Sequence, residues 1–354
     1  MNFNIGDRQI GDDFPCYITF EAGPTHDGLE TALKLVRQAA EAGADAVKFQ
    51  LFDLDRLVPD RKQPFTYSIL VDRATGKMEE VTEPLYDILL RRHLKREDWV
   101  PLKRECDKLG LAFFSTAAFP EEIDFLVKLG CHSIKIASGD VNHHPLIRYA
   151  AKTGLCLQLD TGGSTLGEVE AAVDVILKEG NSNIIIHQCP SGYPARLESI
   201  NLRIIQTLKQ MFRFPAAFSD HTPGWEMDIA AVALGANMVE KTITLDRTTR
   251  SVEHSFSLEK EDMPKFVRAI RELETALGKT RRIMGEEERA KRLGARRSCF
   301  LAKDIKAGDV ITEDMIDYRR PGKGIAPNDA KALIGARMRR DKQAGAIFEW
   351  KDLE

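Results

Sequence analysis

Six cysteines occur among 354 residues, at positions 16, 106, 131, 156, 189 and 299, and no two form a CxxC pair. Such scatter supplies neither a disulfide framework nor a zinc knuckle, and it fits reduced thiols in a cytoplasm. An excess of one charge is also missing. Lys and Arg number 51 against 54 Asp and Glu, a net charge of −3, so nucleic acid is not expected as the main partner. No apolar run is long enough to span a bilayer, which argues against a membrane role. The opening MNFNIGDRQIGDDFPC lacks the basic start and apolar core of a secretory signal. GxGxxG, Walker A and HExxH motifs are absent, so no nucleotide or zinc-protease signature competes for the function.

What is present points to folded α/β structure. Hydrophobic residues make up 43% and charged residues 30%, enough apolar side chain for a sizeable core and too much for disorder. Short β-branched runs fall near 16–20, 44–50, 111–115, 132–137, 155–160, 183–188, 215–219 and 236–243. Helical patterns follow them near 29–42, 97–109, 121–129, 144–152, 165–179, 199–211, 226–234 and 262–277. In the first, Leu33, Val36 and Ala40 recur at helical spacing, and Gly43 stands where a C-cap is expected. Eight βα units predict parallel strands closed into a (β/α)8 TIM barrel. An open doubly wound sheet is the alternative that the same alternation allows.

The segment 52–96, with Pro59, Pro64, Gly76 and Pro84, is long for a βα connection and reads as a functional excursion over one end of the barrel. We therefore assign residues 1–280 to the barrel domain, 281–296 to a highly charged linker helix and 297–354 to a small β-rich domain. Alternating short strands and the turns KAGD, RPGKG and KQAGA mark the last of these. A domain that small is marginal alone and needs a surface to pack on.

A TIM barrel places its chemistry at the C-terminal strand ends and the loops after them. That ring contains Glu21, Lys48, Ser115, Thr116, Lys135, Ser138, Asp140, Asp160, Thr161, Gln188, Ser191, Tyr193, Ser219, Asp220, His221, Glu240 and Thr242. Lys48 in AVKFQ and Lys135 in SIKIAS are the most informative, because an inward lysine must either pair with a carboxylate or meet an anion. Two of them beside several hydroxyls suggest a phosphate or carboxylate pocket. His221 in FSDHTPG suits either a loop-capping role or a ligand or acid–base role. His143 and His144 are expected to open a helix, and His187 to face outward from its strand.

The motifs EAGPTHDG, GADAVKFQLF, STAAF, SIKIASGD, SDHTPG, VALGAN and VEKTITLDR resemble, in order and spacing, those of the sialic acid (nonulosonic acid) synthase family. The end of the chain resembles its antifreeze-like SAF domain. The resemblance implies a TIM barrel with a C-terminal SAF (β-clip) domain and a domain-swapped homodimer. It also implies condensation of phosphoenolpyruvate with an open-chain N-acylated amino sugar to a nine-carbon keto acid. Carried over by position, Lys48, Thr116, Lys135, Ser138, Ser191 and Ser219 match contacts to phosphoenolpyruvate. Glu21 and Asp140 match acidic catalytic positions, Tyr193 and Glu253 the sugar side, and Arg320 an SAF arginine that enters the partner copy's site. His221 matches one of two histidines that hold a divalent metal.

The chain departs from the family at informative places. Thr242 replaces the second metal histidine, which implies weak binding of a hard cation such as Mn2+ or Mg2+, with Glu21 and Asp140 available as ligands. Asp160 replaces a serine and brings a carboxylate to the phosphate pocket, while Thr25 alters the first loop and Gln188 replaces a common histidine. Within enzymes the alternative is a Schiff-base aldolase. Outside them it is a sugar-binding or regulatory paralogue, motivated by Thr242 and Asp160.

Overall fold

The computed structural model describes residues 2–354. The chain forms two compact units, 1–278 and 279–354.

In the first unit, eight parallel strands close into a barrel: β1 (Tyr17–Glu21), β2 (Ala46–Gln50), β3 (Ala112–Thr116), β4 (Ser133–Ile136), β5 (Cys156–Asp160), β6 (Ile184–Gln188), β7 (Ala216–Asp220) and β8 (Met238–Thr242). Each is followed by a helix: α1 (Leu29–Ala42), α2 (Trp99–Lys108), α3 (Pro120–Leu129), α4 (His144–Ala151), α5 (Leu166–Lys178), α6 (Ile204–Phe212), α7 (Glu226–Ala233) and α8 (Met263–Leu277). β8 pairs with β1, so the sheet has no edge and the open doubly wound alternative is excluded. Gly43 ends α1 at φ +88°, its N–H donating to the carbonyls of Ala39 and Ala40, a conformation in which a Cβ would be strained.

Alternation along the strands makes two cores. Ile18, Phe20, Phe49, Phe113, Phe218 and Val239 point outward and pack under the helices. Tyr17, Ala46, Ala112, Phe114, Cys156, Ile185, Ala217 and Met238 point inward and fill the N-terminal end of the barrel. A hairpin of Phe3–Ile5 and Arg8–Ile10, not foreseen in the sequence because its strands are three residues long, closes that end with Ile5 and Ile10. The excursion after β2 is structured. It holds short helices Leu54–Leu57 and Leu85–Arg91 and a long antiparallel hairpin, Pro64–Asp72 with Lys77–Pro84.

The second unit opens with the exposed helix Glu286–Ala295. An antiparallel pair, Ser298–Leu301 with Ile316–Arg319, then packs around Cys299, Leu301, Ile311, Leu333, Met338 and Phe348. Asp352 is buried and accepts bonds from Arg340 and Lys342, tying the C-terminus to the unit. Among the described residues no helix is long and apolar enough to cross a membrane.

Candidate active site

The C-terminal end of the same barrel is ionic. Inward positions above the apolar layer, toward the C-terminal strand ends, carry Glu21, Lys48, Lys135, Asp160, His187, Ser219 and Glu240. Register sets them side by side: Glu21 is level with Lys48, His187 with Asp160, and Ser219 with Glu240. Lys135 donates to Glu240 Oε1 at 2.7 Å and to Ser219 Oγ at 2.8 Å, and its Nζ lies 3.0 Å from Asp160 Oδ1. Lys48 pairs with Glu21 and lies 3.0 Å from Glu240 Oε1. Both lysines therefore converge on one oxygen of Glu240, while its other oxygen is buried without a partner.

The cluster sets its own charge states. Burial alone would raise the Glu240 carboxyl, but Lys135 and Lys48 outweigh it and hold it well below the usual range. Burial disfavours the Lys48 ammonium, yet Glu21 and Glu240 overcome that and push its pKa well up. Burial, aided by Glu240 and only partly opposed by Lys48, raises the Glu21 carboxyl.

His187 does not face outward as expected. It is fully buried inside the barrel, because strand alternation puts Ile185 and His187 on the inner face and Gln188 on the outer one. Its Nδ1 is 3.0 Å from Ser219 Oγ and its Nε2 is 3.0 Å from Gln158 Oε1. Gln158 in turn donates to Ser133 Oγ at 3.0 Å. Burial, followed by the nearby Lys135 charge, pushes the imidazole down to about 3. A neutral ring here donates from Nε2 and accepts at Nδ1, which orients the Ser219 hydroxyl above it.

Above this floor lies a cavity of about 350 Å3. Glu21, Lys48, Glu240 and Asp160 form its base, with Thr116, Ser138 and Asp140 on one wall. Tyr193, His221, Glu253 and Arg92 line the opposite side. Lys135 and Ser219 sit just beneath and bond to that base. Burial raises the Asp140 carboxyl. The Tyr193 and His221 rings lie 4.8 Å apart between centroids.

Several sequence-selected residues lie elsewhere. Gln188 points out of the barrel and donates to the Ile200 carbonyl at 2.7 Å. With Ser191 it lines a separate cavity of about 380 Å3 beside α5 and α6. Arg320 belongs to the second unit. Asp220 also turns outward, where it pairs with the buried Lys241. His143 caps α4, its Nδ1 accepting from the Leu146 N–H at 3.4 Å.

Donors for a divalent cation do not assemble. Thr242 gives its hydroxyl to Glu253 Oε2 at 3.2 Å, and His221 Nδ1 is 3.3 Å from the Pro190 carbonyl. Glu21 is engaged by Lys48 and by the Gly23 N–H at 2.6 Å. Among the described residues no three His, Cys, Asp or Glu side chains are grouped as ligands. The residues present thus do not fit a preformed metal site.

The hub of the cluster, Glu240, carried no assigned role on sequence grounds, although counting alternation from Met238 turns it inward. Arg92 gave no sequence signal, because it sits in the excursion, which has no simple period.

An eight-stranded barrel with a lysine–carboxylate cluster at its C-terminal mouth, followed by a small β-rich unit, defines the architecture. The NeuB family matches residues 35–282 and the SAF domain residues 296–354. The chain belongs to the NeuB family, with a C-terminal SAF domain. It is 35% identical to the N,N'-diacetyllegionaminic acid synthase of Legionella pneumophila, over 99% of this chain and 98% of that one. It is 30% identical to the human N-acetylneuraminate-9-phosphate synthase, over 94% and 90%. The N-acetylneuraminic acid synthetase structure from Leptospira borgpetersenii superposes with a TM-score of 0.71 at 28% identity, covering 82% of this chain and 95% of that one.

Proposed function

We propose that this chain condenses phosphoenolpyruvate with the open-chain aldehyde of an N-acylated amino sugar. The products are a nine-carbon 2-keto-3-deoxy acid and phosphate, which makes it a carbon–carbon bond-forming transferase. The observation that carries the reading is the convergence of two buried lysines on Glu240 at the mouth of the barrel. Membership in a family whose relatives are nonulosonic acid synthases supports it.

Phosphoenolpyruvate carries several negative charges on two groups. Lys48 and Lys135 supply ammonium donors, and Thr116, Ser138 and Ser219 supply hydroxyls, within one water-poor site where charge-assisted bonds are strong. The incoming anion takes over contacts that Asp160 and Glu240 make in its absence. C3 of the enol then attacks the aldehyde carbon, forming the new C–C bond, and the aldehyde oxygen takes a proton to become a hydroxyl. Water adds to C2, its proton passing to a carboxylate. Glu21 and Asp140, whose pKa values are raised by burial, are the groups at hand for these transfers. Cleavage of the C2–O bond releases phosphate and leaves the ketone. Tyr193, His221 and Glu253 form the sugar side, and Arg320 of a second copy completes it at the N-acyl group.

A Schiff-base mechanism needs an uncharged lysine, and the raised pKa of Lys48 works against that. Lys135 has Glu240, Asp160 and Ser219 around its three N–H bonds. The test is phosphoenolpyruvate-dependent phosphate release across a panel of N-acylated hexoses and their 6-phosphates, run with Mn2+ and with excess EDTA. Sugar-dependent release is the expected result, and the EDTA arm measures how far a divalent cation contributes. Trapping of pyruvate on the protein by borohydride, with no phosphate released, would decide for the aldolase.

A further inference from the structure

The segment Ser251–His254 has cavities on both sides. Val252 and Glu253 face the large cavity, whereas Ser251 and His254 line a second one of about 110 Å3. Arg92 lines both. Glu253 is held at φ +79°, a conformation that non-glycine residues adopt only when the surroundings enforce it. The small cavity lies between the loop after β1 and the loop after β8, on the same face of the barrel as the lysine cluster.

Its charge is one-sided. Arg91, Arg92 and Arg250 face a single carboxylate, Asp27, which already accepts from the Thr31 hydroxyl at 2.6 Å, and His26 and His254 beside them are kept uncharged by burial. Arg91 is clamped by Glu83 at 2.6 and 3.0 Å. Arg92 is not: its nearest carboxylate is Glu253 at 4.0 Å, and its Nε and Nη1 are buried without a hydrogen-bond partner. His26 Nδ1 is buried and equally unpartnered. Unsatisfied buried donors beside an empty space are costly unless something fills that space. A planar guanidinium matches the oxygen spacing of a phosphate better than that of a neutral hydroxyl. The volume suits one such group and is too small for a second sugar.

We propose that this cavity is a subsite for a phosphate-class oxyanion, with Arg92 and Arg250 supplying the charge. The anion arrives either as the phosphate ester at the far end of the amino sugar or as free phosphate. The first source rests on the reading that places the sugar against Glu253.

Calorimetry on the full chain without phosphoenolpyruvate separates the sources. The titrants are an N-acetylhexosamine 6-phosphate, the same sugar unphosphorylated and inorganic phosphate, each with wild type and Arg250→Gln. Arg250 is exposed, so its replacement leaves the fold intact. The expected result is that a phosphate-bearing titrant binds wild type and binds Arg250→Gln at least tenfold more weakly, with partial recovery in Arg250→Lys. Tighter binding of the sugar phosphate than of inorganic phosphate assigns the anion to the sugar, and equal binding assigns it to the free ion. No binding, or equal binding to wild type and Arg250→Gln, overturns the proposal. Normal binding of the sugar phosphate without consumption of phosphoenolpyruvate would overturn the condensation reading and leave this one standing.

Discussion

The two ends of the same eight strands are chemically opposite. At the N-terminal end the inward positions are Tyr17, Phe114, Ile185 and Met238, and Tyr17 stacks on Phe114 with centroids 6.0 Å apart. Toward the C-terminal mouth, the inward positions are Glu21, Lys48, Lys135, His187 and Glu240. The lower layer contributes stability by removing apolar surface from water, about 1.5–3 kcal/mol for a fully buried large side chain. The upper layer is a poor stabiliser, since desolvating paired charges roughly cancels their attraction. Under the proposed function the charges persist there to meet an anion that enters the barrel, and the lower layer supplies the rigidity that keeps them in place.

Paired substitutions should split the two ends most sharply. Lys135→Met is expected to abolish sugar-dependent phosphate release and weaken phosphoenolpyruvate binding at least tenfold, because it removes a donor to Glu240, Asp160 and the incoming anion. Phe114→Ala is expected to cost about 3–5 kcal/mol in urea unfolding, with phosphoenolpyruvate affinity within twofold of wild type while folded. Unchanged affinity in Lys135→Met, measured calorimetrically, would remove that lysine from the site.

Acid should also act on the charged end first. His187 is held at about 3 in the folded protein against an ordinary value of 6.5, by burial and by Lys135. Because the folded value is depressed, the unfolded chain takes up the proton first. Stability is therefore present in full above 6.5 and falls as pH drops toward 3, by about 1.4 kcal/mol per pH unit. His26 and His254, each pushed down to about 4 by burial, act in the same direction. Urea midpoints at pH 7 and pH 5 should differ, and His187→Gln should reduce the difference. An undiminished drop in that variant would mean that His187 is not the neutral group described.

The smallest expected effect concerns Asp160, which pairs with Lys135 and under the proposed function competes with the anionic substrate for it. Asp160→Ser should tighten phosphoenolpyruvate binding by about tenfold, in line with one charge-assisted contact. Weaker binding would show instead that Asp160 positions Lys135 rather than opposing its ligand.

The barrel was legible because eight apolar runs alternate with eight amphipathic ones, and such a pattern has few other ways to bury itself. Gly43 could be placed as a cap for the same local reason. The N-terminal hairpin was not legible, since three-residue strands carry no usable period. His187 was misplaced by one step of alternation, and one step is enough to move a side chain from outside the barrel to its centre. Gln188 moved the opposite way for the same reason.

By itself the sequence determined the order of strands and helices, the inward lysines at 48 and 135, and the change of texture at the β-rich end. All of these follow from local periodicity and from the cost of burying an unpaired charge. Only the tertiary structure decided that both lysines share Glu240, that His187 and Gln158 brace Ser219, and that Arg92 stands unpartnered between two cavities. Those relations join residues as many as 192 positions apart, such as Lys48 and Glu240. Closure of the barrel alone brings them within bonding distance.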